Sequence, residues 1–445
     1  CLRSNLSYSP LAALELYVIM VKNKETDELA KVYYKDIYGK RHEKLSFLEK
    51  STLSDIDFIE LQPTAPLYTF RIIDDKIKEH YANGFKIDSL MLHKVQGFKS
   101  DKDCVAIHYE KEGIENLLSL MLSDKTDIEL RKEVGFKDTR DWKLDKARQA
   151  LKFKQQYKRF ITEVQYRPFD TRWTYLDKTL VTYPRPLILS SIFNRENQVL
   201  CVGQQGNVIG DDEWSLIYTS TLPTDINVVP RGGIYLFPMI IYDGMLKYAN
   251  FSPDILQNIE KGIGLHLQDV EDEERKEGGF LAIDLIDHIY AVLHSVTYRD
   301  TYHDFLQNDF PTIPYPVSAE YFFKMAKLGK RLRHLHELKG IDRTDIITSY
   351  PVIGKKDNNV VLIHKFEETN EGIGRVWINK EQYFDGVPSE AWNMIIAGYK
   401  SLEKWLKDRK DKHLTGDEII HFQKMVVALV ETIRIQEEID EIIEL

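Results

Sequence analysis

The chain has 445 residues, of which 43% are hydrophobic and 29% charged, and a net charge of −10. That balance is the one of an ordinary globular protein of about two or three domains. No stretch approaches the roughly 18 apolar residues that span a bilayer, and the acidic total excludes a uniformly basic coat while leaving room for a local positive field.

Three separated cysteines (Cys1, Cys104, Cys201) make neither a disulfide framework nor a CxxC zinc pair, so a reducing cytoplasm is the simple reading. The start, "CLRSNLSYSP", has no signal-peptide architecture and no initiator Met, which predicts a cut N-terminus.

In chain order, residues 14–36 read as two strands, apolar "LELYVIMV" and alternating "AKVYYKDI". "KRHEKLSFLEK" follows as a short amphipathic helix and "LQPTAPLYTF" as an extended crossing. Residues 74–92 are partly helical. A glycine-centred segment, "KVQGFKSDKDCVAIHYE" (94–110), turns into a strand at 104–109. The pattern then predicts a helix over 113–124 and a basic one over 141–160.

Short strands between Pro, Gly and Asn turns fill 161–242. "AIDLIDHIYAVLHSVTYRDTYHDFL" (282–306) sets Ile286, Ile289, Tyr290 and Leu293 at helical spacing, and the prolines of "DFPTIPYP" stop it. A basic helix runs on to about Leu338, with Gly340 as its cap. "VVLIHKF" and "GRVWINK" make a hairpin, and helices over 389–409 and 417–443 close the chain. The expected class is α+β: an N-terminal hairpin with helices, a central β-rich domain and a C-terminal helical region, divided as 1–80, 81–340 and 341–445.

Charge is unevenly spread. Between Lys143 and Arg185 stand eleven cations against four carboxylates, the scale of local field that holds phosphates. A second basic run, "KMAKLGKRLRHLHELKG" (324–340), contains Lys330, Arg331 and Arg333, while acid gathers in "DVEDEERKE" and "EEIDEIIEL".

Catalytic signatures are absent from the sequence. There is no GxxxxGK[ST] loop, and "GQQGNVIG" (203–210) reads as a β-turn rather than a phosphate cradle. His334 and His336 are two apart on different helix faces, a poor metal pair. His288, His294 and His303 are spaced as solvated or core histidines. No metal or nucleophile set has motif support, so no cofactor is expected in this chain.

Binding chemistry is better represented. "YRPFDTRWTYL" (166–176) sets Arg167 and Arg172, with Arg185 beyond, among stiff aromatics. A guanidinium fork matches phosphate or the guanine edge. The alternative is a core of Tyr166, Phe169 and Trp173 with Asp170 pairing an arginine to seal a corner. In "KVQGFKSDKD", Lys94, Lys99 and Lys102 suit phosphates, while Gln96 and Ser100 can read base edges; a lysine-rich surface turn is the competing reading. "GQQGN" offers Gln204, Gln205 and Asn207 for adenine contacts, or simply a hairpin tip.

Four ordered motifs, "VQYRPFDTRWTYL", "IYAVLHSVTYRDTYHDFLQNDFPTIPYP", "RVWINKEQYFDGVP" and "AGYKSLEKWLKDRKDKHLTGDEIIHFQKMVVALVETI", resemble the C-terminal part of type ISP restriction-modification enzymes. The resemblance covers the chain from about residue 10. It implies that 1–80 is the trailing edge of an adenine-N6 methyltransferase domain, 81–340 the DNA target-recognition domain, and 341–445 the hairpin and helices closing it. The glycine-rich S-adenosylmethionine loop, the Asn-Pro-Pro-Tyr/Phe motif and the nuclease and helicase motifs do not occur. S-adenosylmethionine, ATP and Mg are thus implied only for a complete parent enzyme.

The expected partner is duplex DNA, with methyltransferase, helicase and nuclease domains on the same polypeptide or another chain, and no membrane. Two alternatives stay open: a methyltransferase fragment active once a partner supplies the cofactor core, and a structural or assembly module.

Overall fold

Alternation in "AKVYYKDI" is realised as strand β1, Val32–Tyr34, paired antiparallel with β2, Ile59–Leu61. Helix α1, Arg41–Lys50, stands between them in sequence. The computed structural model describes residues 31–37, 41–63, 68, 73–204, 206, 213–352 and 359–445. The strand expected at 14–21, and Gln205 and Asn207, lie outside these. The chain divides into two units, residues 1–75 and 76–445.

In the larger unit, after a helix and a short strand before residue 90, come β3 (Val95–Gln96) and β4 (Ile107–His108). Helices α2 (Lys111–Leu122) and α3 (Leu144–Phe153) follow. Next come strands β5 (Ile161–Arg167), β6 (Asp170–Tyr175), β7 (Val199–Gly203), β8 (Ile217–Ser220) and β9 (Ile234–Pro238). Helices α4 (Ala282–His294) and α5 (Ala319–His336) precede β10 (Lys365–Asn370), β11 (Ile373–Trp377) and β12 (Tyr383–Pro388). Helices α6 (Ser401–Asp408) and α7 (Gly416–Asp440) come last. The sheets run β3-β9-β7-β8, β4-β6-β5 and β10-β11-β12, with shorter elements between, and the mixed class agrees with the α+β expectation.

Periodicity explains the packing. Ile114, Leu117, Leu118 and Met121 form one face of α2, and Leu144, Ala147 and Leu151 one face of α3. Both faces close on Phe136 and Trp142, whose rings stack at 5.6 Å. The centre is α4, buried without a break from Asp284 to Ser295. It lies so close to α5 that a Cβ on Gly329 would stand 1.7 Å from the Asp287 carbonyl oxygen. Helix α7 starts on a reciprocal cap: Glu418 N–H donates to Thr415 Oγ1 (3.2 Å) and Thr415 N–H to the Glu418 carboxylate (3.0 Å).

Four expected elements are interrupted. The segment 282–306 breaks at Ser295, which ends α4 and accepts from Tyr298 N–H to cap the next turn. The helix expected over 141–160 stops at Phe153, and Gln156 takes a left-handed φ of 51°. The strand at 104–109 opens with a helical turn, Asp103–Ala106. The helix expected over 389–409 is split by a tight turn at Ala397 and Gly398 (φ 50° and 78°). A Cβ on Gly398 would meet Pro230 at 2.6 Å, so glycine is needed there for space as well as backbone.

The interior holds polar groups, and several are linked in one network. Tyr290 hydroxyl donates to His336 Nδ1 (2.6 Å), and His336 Nε2 lies 3.1 Å from Thr432 Oγ1. Tyr218 donates to the His336 carbonyl (2.8 Å) and accepts from Phe169 N–H (3.0 Å). Burial holds His288 down at about 4, His336 at about 3 and His294 well below the usual imidazole value; His421 is lowered too, again mainly by burial. These rings fold neutral.

The unfolded chain therefore binds more protons than the folded one below the ordinary histidine value of 6.5, and their contribution is lost as pH falls. Asp225 and Asp287, both raised to about 6 by burial, act in the opposite sense between the ordinary carboxyl value and 6. Four imidazoles outnumber two carboxyls. The thermal midpoint should consequently fall as pH is lowered from 6.5 towards 4, and calorimetry across that window should show net proton uptake on unfolding. A midpoint that rises on acidification would contradict the assignment.

Candidate nucleic-acid interface

At the end of β3 the backbone runs hard against a neighbouring loop. A Cβ on Gly97 would sit 2.6 Å from Ile226 N, so only glycine permits the approach. Buried Phe98 then exchanges backbone bonds with that loop, its N–H to Thr224 O at 3.0 Å and Ile226 N–H to its own carbonyl at 2.9 Å. On the other side Lys99 and Tyr183 exchange both backbone bonds, at 3.1 and 3.0 Å. The 94–102 segment is thereby clamped between two chain segments, and its side chains are carried on a fixed base.

That clamp gathers six of the residues expected from sequence. Arg185, in a left-handed conformation, donates from Nη2 to Gln96 Oε1 at 3.1 Å, and Gln96 Nε2 lies 3.5 Å from the Tyr235 hydroxyl. Lys99 is exposed, its ammonium 2.8 Å from Asp101. Lys94 pairs with Asp88 at 2.8 Å. Ser100 is buried and donates to Asp103. Lys102 lies over the Trp142 ring at 4.3 Å, and burial lowers its ammonium to about 8. Beside them Tyr183 hydroxyl donates to Asp141 (2.7 Å), which Arg140 also grips through two bonds of 2.8 Å.

Gln204 follows β7, which ends where β3 ends: Tyr235 pairs with Gln96 and Ile234 with Gly203 on the shared neighbour β9. It bonds Asp309, whose carboxyl burial would raise but Lys86, the Phe310 N–H and Gln204 hold below the ordinary value. Gln96 and Gln204 thus sit at one end of one sheet, although 108 positions apart in the numbering.

Three arginines expected as contacts are placed inside instead. Arg172 is 5% exposed and binds Asp170 at 2.6 Å; Arg409 binds the same carboxylate at 3.1 Å. Arg167 is 8% exposed and binds Asp225 at 2.9 Å. The guanidiniums alternate with rings: Arg167 over Tyr166 (3.8 Å), Arg172 over Tyr109 (3.6 Å), Arg409 over Trp405 (3.6 Å).

Burial pushes the Asp170 carboxyl up, but Arg409 and Arg172 outweigh it and keep it ionised. This is the sealed corner weighed from the sequence, extended by a third arginine. Arg333 is likewise buried, on Asp287 at 2.6 Å. On the same helix Arg331 pairs with Glu438 (2.6 Å) and Lys330 is exposed. No hydrogen bond or ion pair among the described residues joins them to the Gly97 cluster.

Arg140 and Tyr183 have no motif in the sequence; their place comes from the Lys99–Tyr183 pairing, which spacing alone does not show. Among the described residues no three His, Cys, Asp or Glu side chains could hold a metal ion. None of the described helices is long and apolar enough to cross a membrane.

The profile of the Type ISP C-terminal specificity domain matches residues 89–445. The chain belongs to that family. No curated relative matches the sequence. Among solved structures this specificity domain is similar to the DrdV–DNA complex seen by cryo-EM (TM-score 0.66, 18% identity, 92% of this chain and 43% of that one). It is also similar to a nuclease-deletion mutant of the Type ISP restriction-modification enzyme LlaGI with a DNA substrate mimic (0.61, 19%, 93% and 33%). The ATP-dependent Type ISP enzyme LlaBIII bound to DNA matches as well (0.61, 18%, 93% and 28%). At these identities the likeness is one of fold, and the chain spans less than half of each of those proteins.

Proposed function

We propose that this chain reads a short sequence in duplex DNA as the specificity part of a Type ISP restriction-modification enzyme. The observation that carries the reading is the family match from 89 to the last residue; the DNA in the DrdV, LlaGI and LlaBIII structures supports it. The Gly97 cluster supplies suitable chemistry. Lys99 and Lys94 are cations for phosphate, and Gln96 with Arg185 is a pair able to address a base edge. Residues 1–80 would be the trailing edge of a methyltransferase domain, as the resemblance implies. The nuclease, helicase-like and methyltransferase parts, with S-adenosylmethionine, ATP and Mg, belong to the parent enzyme, in a bacterial cytoplasm.

Anisotropy titrations with duplexes of different sequence, repeated across salt, test this. Affinity should fall steeply with salt. Lys99→Ala should reduce the log–log slope by about 1 without moving the thermal midpoint. Arg185→Ala should cost about 1–3 kcal/mol on the preferred sequence and narrow its advantage over others. Affinity independent of salt would end the proposal.

A further inference from the structure

Beside the Gly97 cluster a cleft of about 760 Å³ opens between α3 and the segments 176–179 and 184–193, within the range of small-ligand sites. Its apolar lining includes Trp142, Phe160, Leu176 and Phe193. Trp142 is already engaged by Phe136 and Lys102, and Phe160 by Tyr175 and Lys154. Phe193 is half-buried and makes no ring contact among the described residues.

Five cations and two carboxylates line the same cleft. Arg140 is matched to Asp141 and Lys154 to Asp177. Lys143, Lys146 and Lys178 are exposed and make no ion pair among the described residues. Unmatched positive charge and apolar rings lining one cleft call for a ligand that is flat and apolar at one end and anionic at the other.

We propose that this cleft takes one nucleotide unit, its base against Phe193 and its phosphate at Lys143, Lys146 and Lys178. Base–aromatic stacking with nearby cations is the general mode of holding unpaired nucleotides. A base stacked inside a duplex has no free face, so the unit is either free or extruded from a helix, and the inference goes beyond duplex reading. Tyr183 joins the two places: its backbone pairs with Lys99, and its hydroxyl binds Asp141 on the cleft.

The test uses the full 445-residue chain. Calorimetry compares adenosine monophosphate with inorganic phosphate. Fluorescence compares a fully paired duplex with the same duplex carrying one extrahelical 2-aminopurine. Adenosine monophosphate should bind at least about tenfold more tightly than phosphate, through the stacked base. Lys146→Glu with Lys178→Glu should weaken it about tenfold or more. Phe193→Ala should abolish the quenching of 2-aminopurine.

Preference for the extrahelical duplex assigns the unit to displaced DNA; adenosine monophosphate binding without that preference assigns it to a free nucleotide. Equal binding of adenosine monophosphate and phosphate, or a double variant that binds like the parent, overturns the proposal. Loss of paired-duplex binding alone removes the duplex reading and leaves the cleft standing.

Discussion

Asp170→Ala is expected to destabilise the fold by about 3–5 kcal/mol, the magnitude for removing one partner from a buried ionic cluster. Asp170 is 2% exposed and receives bonds from Arg172 (2.6 Å) and Arg409 (3.1 Å). Its loss leaves two guanidiniums facing each other out of water. Arg409 keeps Glu418 at 2.9 Å, but Arg172 retains no other carboxylate among the described ion pairs.

Arg172→Ala should cost less, because Arg409 still neutralises Asp170. Urea unfolding of the two variants beside Lys99→Ala checks the order: a large loss, a smaller one and none. An Asp170→Ala midpoint equal to the parent's would refute the account.

Gly329→Ala is the second large effect. The added Cβ falls 1.7 Å from the Asp287 carbonyl, and no rotamer can move a Cβ. Helices α4 and α5 must separate, which also strains the Arg333–Asp287 pair (2.6 and 2.9 Å) one turn along. Helix propensity argues the other way, since alanine is favoured over glycine by about 1 kcal/mol. Overpacking of a rigid core costs about 1–3 kcal/mol, and contact with backbone puts this site at the upper end. Faster hydrogen exchange of the α4 amides with a lowered midpoint is the expected signature. A stabilised variant would show that the helices slide apart freely.

Local signals were legible in the sequence, and long-range ones were not. The apolar period of 113–124 and 417–443 and the alternation of 161–175 became helices and strands nearly as spaced. The competing reading of Asp170 as the seal of a corner could be formed from six adjacent residues. Its other partner could not, because Arg409 lies 239 positions away. The turn at Gly398 packs against Pro230, likewise outside any local window.

For the candidate site, "KVQGFKSDKD" was readable because glycine, lysine and glutamine types advertise backbone approach and polar contact. Arg167, Arg172 and Arg333 share their residue type with surface contacts, and only the surrounding carboxylates and rings, brought from elsewhere, turn them inward. The cleft was only half visible: its lysines belong to the basic run from Lys143 to Arg185, but only the tertiary structure brings Lys178 and Phe193 beside α3.

The late partners of the 161–175 hairpin have a bearing on how the protein is made. Phe169 carbonyl accepts from His421 (2.7 Å) and Asp170 from Arg409, so the hairpin is completed by groups that leave the ribosome 239 and 252 residues after it. Until those residues emerge, the hairpin carries an unfilled carbonyl and an under-neutralised carboxylate. A nascent chain halted before Arg409 is therefore a natural client for chaperones and proteases, and stops between the hairpin and Arg409 should yield degraded product rather than a shorter working domain.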